Sequence, residues 1–441
     1  MAAIYIPIFS IIIIYLLFTR LLKTQVRKNL FCELGFLYLT LVVLYSVLPG
    51  FVFIYGSMVP GDPISVFLDM ISINTDDLVI HFWRHWLFIF SFSIGYLAIR
   101  GRAPIKFNKV QVSSHLSILS VIVILVICLL LLSLMSATVD SYHDNYVRYD
   151  HLPVPLRKMA SIIYRFKSGF YTILIALMFL DHKRYKILIV IVVIAICVYE
   201  LIYSHGSRII VLIILLQTFF LYNYIVRIFP LKKLAIYIFI LLFFFSSIEV
   251  IRLMDSDMQG AKDVVLEDGI KSPGELGAVF ISSFHLYSER QKSALPPVEW
   301  QMFFYDFISP FTFNSFNKWN PMFWYADYYF PDSKVPPFTL GPIADSAIWG
   351  GEVDLFFRAF INGVFFAMIV RWFQRYGSAW WAVAIYSYFF SNAVITLKYS
   401  VFFYLTPLVK DLLPTIIIIA TLRQIYVDKK RSFEPMKIPQ N

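Results

Sequence analysis

The chain has 441 residues, of which 59% are hydrophobic and only 15% charged. A soluble globular domain carries about 25% charged residues, so this composition excludes an ordinary water-soluble enzyme. A net charge of +10 would suit nucleic acid, but the cations are parcelled out between apolar runs rather than gathered on one patch, which excludes that partner.

Runs of about 20 apolar residues are long enough to cross hydrocarbon as helices. Lipid offers nothing to an unpaired backbone amide, so spanning segments close their own hydrogen bonds. The short alternating strands of an outer-membrane barrel are absent from the sequence. In chain order, eleven spans are expected at 3–22, 33–56, 82–99, 114–136, 160–180, 186–203, 208–228, 234–251, 355–372, 378–398 and 402–426. Pro407, Lys410, Asp411 and Pro414 interrupt the last of them.

The connecting segments alternate in charge. Arg20, Lys23, Arg27 and Lys28 follow the first span; Arg100, Arg102, Lys106 and Lys109 follow the third. Lys183, Arg184 and Lys186 follow the fifth, Arg227, Lys232 and Lys233 the seventh, and Arg371 and Arg375 the ninth. The intervening segment 57–81 holds four aspartates and no Lys or Arg. Cytoplasmic loops carry the excess of Lys and Arg, so the N-terminus is expected outside and the C-terminus inside. The first span has no basic residue before it and no small-residue cleavage site, and reads as a retained helix. Cys32, Cys128 and Cys197 lie in or beside spans and imply no disulfide framework. No internal repeat occurs, and 1–441 reads as one all-α membrane domain with a large extracytoplasmic loop, 252–354, between the eighth and ninth spans.

That loop is water-facing, with fourteen acids against seven Lys and Arg. Ser272 and Glu275 fit a capping box, and Leu276, Phe280, Phe284 and Tyr287 recur at helical spacing. An amphipathic helix is expected over 275–292, lying on the membrane surface or packed on the helix ends. Residues 296–350 are rich in Pro, Asn and aromatics, including Trp300, Trp319, Trp324 and Tyr325. The rings fit an interfacial belt or stacking platforms for sugars.

Outward helix ends should be poor in cations, yet Arg84, Arg165, Lys167, Arg208, Arg252, Arg358, Lys398 and Lys410 all fall there. Ionisable groups at membrane depth are costly and face a cavity or a partner. A convergent set would hold a phosphate or pyrophosphate; the bland alternative is snorkelling to headgroups. The turn Ser204-His205-Gly206-Ser207-Arg208 stands out, since Arg208 opens a helix whose N-terminal amides also favour anions. His205 is a candidate base or a plain turn residue. Glu249 lies one turn before Arg252 as a partner. His285 and Glu289 share a helix face beside Arg290, a familiar base arrangement. Glu352 and Asp354 precede Arg358. Asp255-x-Asp257 and Glu352-x-Asp354 are weak divalent-metal patterns. Zinc spacing, P-loop, dinucleotide fingerprint and nucleophile elbow are all missing from the sequence.

With its eleven spans, late outward loop, Gly206-Ser207-Arg208 turn and the segment from Leu340-Gly341-Pro342 through Ile348-Trp349-Gly350-Gly351 to Asn362-Gly363, the chain resembles the Wzy-type O-antigen (oligosaccharide repeat unit) polymerases. The resemblance implies a GT-C-like membrane glycosyltransferase of the bacterial inner membrane, with a periplasmic N-terminus and a cytoplasmic C-terminus. It implies that undecaprenyl-pyrophosphate-linked oligosaccharides are the substrates and a chain-length regulator protein a further partner. It implies no metal or other cofactor. Arginines would hold the pyrophosphate: Arg208, Arg252 and Arg290 first, then Arg358 and Lys398. His205, His285 or Glu352 would take the acceptor proton. An O-antigen ligase shares these features. A flippase or transporter would bring charges deep into several helices, and a membrane acyltransferase would need a histidine buried in the bundle.

Overall fold

Lipid-facing helices need an apolar exterior and small residues where backbones meet, and the computed structural model is built on both. It describes residues 2–26, 30–56, 75–102, 105, 115–136, 149, 151–203, 208–227, 274–308, 311, 319–329, 331, 340–397, 405–421 and 424. Nearly all of these are helical, and no strand occurs among them.

Seven helices among the described residues are long and apolar enough to cross a membrane. The protein is therefore an all-α, multi-pass membrane protein. In chain order the principal helices are α1 (Ala2–Val26), α2 (Leu34–Gly56), α3 (Thr75–Arg100), α4 (His115–Met135), α5 (Val154–Leu180), α6 (His182–Tyr203) and α7 (Arg208–Leu221, continued by a π-helical turn Tyr222–Val226). After them come α8 (Gly274–Gln291), α9 (Pro321–Tyr329), α10 (Pro342–Trp349), α11 (Glu352–Tyr376) and α12 (Trp380–Ser391, continued by a 3₁₀ turn Asn392–Leu397).

The seven spanning helices fall at α1, α3, α4, α5, α7, α11 and α12 with its 3₁₀ turn. Of the four remaining expected spans, α2 contributes a shorter apolar segment, Leu34–Val47. The stretch 186–203 is helical within α6, which is not among the seven, and Lys183, Arg184 and Lys186 lie near its start. The span at 234–251 lies outside the described residues. The last is broken, as its prolines foretell: a π-helical turn, Leu408–Leu412, precedes the helical stretch 413–421. Pro414 has no amide to give the carbonyl of Lys410 four residues back, and the widened turn accommodates the lost bond.

The central contact is α3 against α11. A Cβ on Gly95 would strike the Phe360 carbonyl oxygen, and one on Gly363 would strike that of Phe92. Two glycines on facing helices thus let the backbones touch. Tyr38 closes the seam, its ring 5.0 Å from Phe92 and 4.7 Å from Phe366. By contrast α4 leaves Leu119, Val123, Ile127, Leu130 and Leu134 exposed, the apolar exterior of a helix facing lipid.

The expected amphipathic helix of 275–292 is α8. Its apolar face, Phe280, Phe284 and Tyr287, is buried against α10, α2 and α3. It therefore packs on the ends of bundle helices.

Candidate functional site

The turn between α10 and α11, Trp349-Gly350-Gly351-Glu352, gathers three arginines from three helices. Arg84, in the N-terminal half of α3, is 6% exposed and donates from Nε to Glu352 Oε1 at 2.8 Å. Its guanidinium carbon lies 3.9 Å from the centre of the Tyr287 ring, a cation–π contact that fixes its plane. The Tyr287 hydroxyl is itself held 2.8 Å from Ser346 Oγ, and burial pushes it above the ordinary phenol range.

Arg290, in the last turn of α8, reaches the C-terminus of α10. Its Nη1 donates to Ala347 O at 2.9 Å, with Trp349 O at 3.4 Å and Ile348 O at 3.5 Å. The last carbonyls of a helix lack internal partners and carry its negative dipole end, so a guanidinium belongs there. Gly351 turns the chain at φ 63°, and a Cβ on it would stand 3.1 Å from Arg290 Nε. Arg358, in the second turn of α11, pairs with Asp354 at 2.9 Å and with Asp345 of α10 at 3.7 Å.

Three guanidiniums thus surround the turn with three carboxylates. Of these carboxylates Asp345 is buried and Asp354 partly so, while Glu352 is 56% exposed. Glu352 is the member of the ring most open to an incoming group.

His285 sits on the same helix as Arg290. Its Nδ1 is 2.8 Å from the Tyr325 hydroxyl, and its ring meets Tyr329 edge-on at 4.7 Å. The expected orienting partner, Glu289, lies 3.6 Å from Lys292. Burial holds the His285 imidazole below its ordinary value of 6.5; Glu289 opposes this and Lys292 adds to it. The neutral ring is the form a base requires at neutral pH.

Of the expected site residues, the structure therefore brings together Arg290, Glu352 and Arg358, with His285 one to two turns from Arg290 on α8. Arg208 opens α7. Its side chain, together with His205, Arg252, Lys398, Asp255 and Asp257, lies outside the described residues. The other acidic pattern, Glu352-x-Asp354, has both carboxylates on arginines, and no group of three metal-ligating residues occurs among the described residues.

Two histidines escaped the sequence reading. His85 Nδ1 lies 2.6 Å from Ser46 Oγ, His85 Nε2 lies 3.2 Å from His81 Nε2, and His81 Nε2 lies 3.1 Å from Ser283 Oγ. The chain ties α2, α3 and α8 together in a fully buried setting. The signal was present: His81, Arg84 and His85 stand at i, i+3 and i+4, one face of an otherwise apolar helix.

Two further polar clusters lie elsewhere in the bundle. Lys167 of α5 is buried on Glu200 of α6 at 2.6 Å, with the Tyr171 hydroxyl donating to the same carboxylate at 2.8 Å. Tyr164 covers the ammonium at 4.3 Å. At the far end of α3, Arg100 meets Glu33 through both Nε and Nη2, with the Nε bond at 2.8 Å, and both side chains are fully buried. Tyr96 adds a hydroxyl to Glu33 Oε2 at 2.8 Å. Arg100 reads in the sequence as a loop cation; in the structure it is the last residue of α3 and an internal tie.

No family model, curated protein or solved structure matches the chain.

Proposed function

We propose that this protein is a membrane glycosyltransferase of the Wzy type, joining oligosaccharide repeat units carried on undecaprenyl pyrophosphate at the periplasmic face of the bacterial inner membrane. The observation that supports the reading is the convergence of Arg84, Arg290 and Arg358 on the end of α10, the turn and the start of α11, whose carboxylates and carbonyls hold them. The alternation of charge between successive connecting segments supports a position for this turn outside the cytoplasm.

In the proposed reaction a glycan leaves its pyrophosphate and is attacked by a sugar hydroxyl of a second lipid-linked unit. The C–O bond to the leaving phosphate breaks as the new glycosidic bond forms, and the acceptor proton passes to a base. Negative charge grows on the leaving group, so fixed guanidiniums favour the transition state over the ground state. The arriving pyrophosphate exchanges with Glu352 for the Nε donor of Arg84, with Arg290 a nearby positive charge that stays on the carbonyls ending α10. Glu352, thereby released beside the phosphate, and the neutral His285 are the two groups suited to take the proton.

The sequence-preferred clamp of Arg208, Arg252 and Arg290, with Arg358 and Lys398 as second choices, is thereby extended by Arg84. The experiment is complementation of a strain lacking the gene. Loss of a polymerase leaves core plus one repeat unit, whereas loss of a ligase leaves bare core. Arg84→Ala is expected to reproduce the single-repeat pattern at wild-type protein level; a full ladder from stably inserted Arg84→Ala protein rejects the proposal.

A second reading, membrane acyl transfer, draws on the buried His81–His85 pair. Against it, the two Nε2 atoms face each other, so neither is presented to a substrate. An unaltered glycan ladder with lost acyl groups in the deletion strain would favour it.

A further inference from the structure

His81 and His85 stand one turn apart on α3, both buried, with Arg84 between them on the same helix face. Burying a polar ring in an apolar bundle is costly unless it is hydrogen-bonded. Here the donors run in one direction. Ser46 Oγ donates to Val42 O at 2.7 Å, which leaves it only lone pairs for His85 Nδ1, 2.6 Å away. His85 therefore carries its proton on Nδ1, and its bare Nε2 accepts from His81 Nε2 at 3.2 Å. Ser283 Oγ, donating to Phe280 O at 2.8 Å, is likewise left to accept from the same His81 N–H at 3.1 Å. That N–H is shared between α3 and α8, and His85 passes the tie on to α2.

These bonds set a register. His81 meets Ser283, and one turn further along both helices Arg84 meets Tyr287, its guanidinium carbon 3.9 Å from the ring centre. The His81 ring also packs edge-on against Phe280 and Phe284, at 4.9 and 5.3 Å, on the α8 face that continues to Tyr287. The Tyr287 hydroxyl is in turn tied to Ser346 of α10. In lipid no hydrophobic force fixes one helix against another, so apolar faces alone permit a slide. A slip of a single residue is about 1.5 Å. That is enough to take the Tyr287 ring from under Arg84 and to turn its Nε away from Glu352.

We infer that His81 and His85 are positioning residues for Arg84: their chain from Ser46 to Ser283 locks α8 against α3 in the register that seats the guanidinium on Tyr287 and aims Nε at the α10–α11 turn. The inference rests on the proposed role of Arg84 in holding a diphosphate. Neither histidine touches the substrate; both act through Arg84.

The test uses full-length protein in liposomes with a synthetic undecaprenyl-pyrophosphate oligosaccharide, and kcat and KM are expressed per folded molecule. His81→Phe keeps a ring in place and removes the N–H. It is expected to lower kcat by about tenfold or more, the scale of an ångström-sized misplacement, with KM changed much less. His81→Gln, whose amide offers N–H donors close to the place of imidazole Nε2, is expected to restore most of kcat. Ser283→Ala is expected to lower kcat by a smaller factor, and serves should His81→Phe fail to fold. A double-mutant cycle decides: in protein already carrying Arg84→Ala, His81→Phe or Ser283→Ala is expected to lower the residual rate no further. A full effect in that background, an unchanged kcat per folded molecule in the single variants, or no recovery with His81→Gln overturns the inference. Arg84→Ala protein as active as wild type is instead the failure of the wider reading, and takes this inference with it.

Discussion

Helix α3 carries two arginine–glutamate pairs, sixteen residues apart, or about 24 Å along its axis. At one end Arg100 and Glu33 are both fully buried and Tyr96 completes the carboxylate's shell. At the other, Arg84 is buried but Glu352 is 56% exposed. The same chemistry therefore does two jobs. A pair closed on every side has no vacancy to offer and serves to pin α3 to the segment before α2. A pair open on its acidic side can exchange that acid for another anion while the guanidinium stays in place.

The sharpest way to break the contrast is to remove one acid from each end. Glu33→Ala strands a buried guanidinium, and the cost is expected at about 3–5 kcal/mol, read as loss of folded protein in membranes. Glu33→Met combined with Arg100→Met should restore most of it, since the penalty lies in the unpaired charge. Glu352→Gln, at the open end, should leave protein level unchanged. If both acids prove equally costly, the distinction between a pin and an exchangeable pair is wrong.

Next in size is the effect on activity. Arg84→Ala is expected to lower polymerisation by about 10²-fold or more, the scale of removing one preorganised donor from a developing negative charge. Arg84→Lys should recover only part, because an ammonium cannot reproduce the fork-shaped donor set or its seat on Tyr287. Quantified ladders from the complemented strain give both values.

Gly351→Ala comes third. Holding an L side chain at φ 63° and ψ −136° costs about 1–3 kcal/mol, and the new methyl presses on Arg290. A modest fall in thermal stability with a larger fall in activity is expected; Gly101→Ala, also at positive φ but with open space where the methyl would stand, is the control.

The smallest effect is pH-dependent. Because the folded state holds His285 below its ordinary value of 6.5, the unfolded chain binds the proton more readily. Stability contributed by the neutral ring is present above that range and is lost as pH falls below it. If the ring is also the base, activity declines over the same acid interval, and His285→Asn removes the decline along with the base. An acid limb unchanged in His285→Asn leaves Glu352 as the proton acceptor.

The helices were legible in the sequence because apolar length and capping chemistry are local. The 275–292 helix was read within a residue of its ends, and Pro407 and Pro414 marked the broken last span. Arg84 and Arg358 could be named singly, since a cation at an outward helix end is anomalous by itself; Arg290 stood out beside His285 and Glu289, and Glu352 just ahead of Arg358. Their arrangement could not, because Arg84 and Glu352 are 268 residues apart and Arg290 meets a helix 57 residues on. The Glu33–Arg100 pair was hidden for a further reason. Arg100 follows a span in a basic segment, and nothing local distinguishes a loop cation from one folded inward on a distant acid. His81 and His85 were legible and passed over; one helix face bearing two histidines and an arginine is costly in lipid unless it is buried.

The most direct test is reconstitution of the purified protein in liposomes with a synthetic undecaprenyl-pyrophosphate oligosaccharide, scoring release of free undecaprenyl pyrophosphate alongside glycan length. The wild-type protein is expected to release one pyrophosphate carrier for each repeat unit joined, and Arg84→Ala to release almost none while still folded. Release that is indifferent to Arg84, Arg290 and Arg358 together would contradict the assignment of the α10–α11 turn as the place where the diphosphate is held.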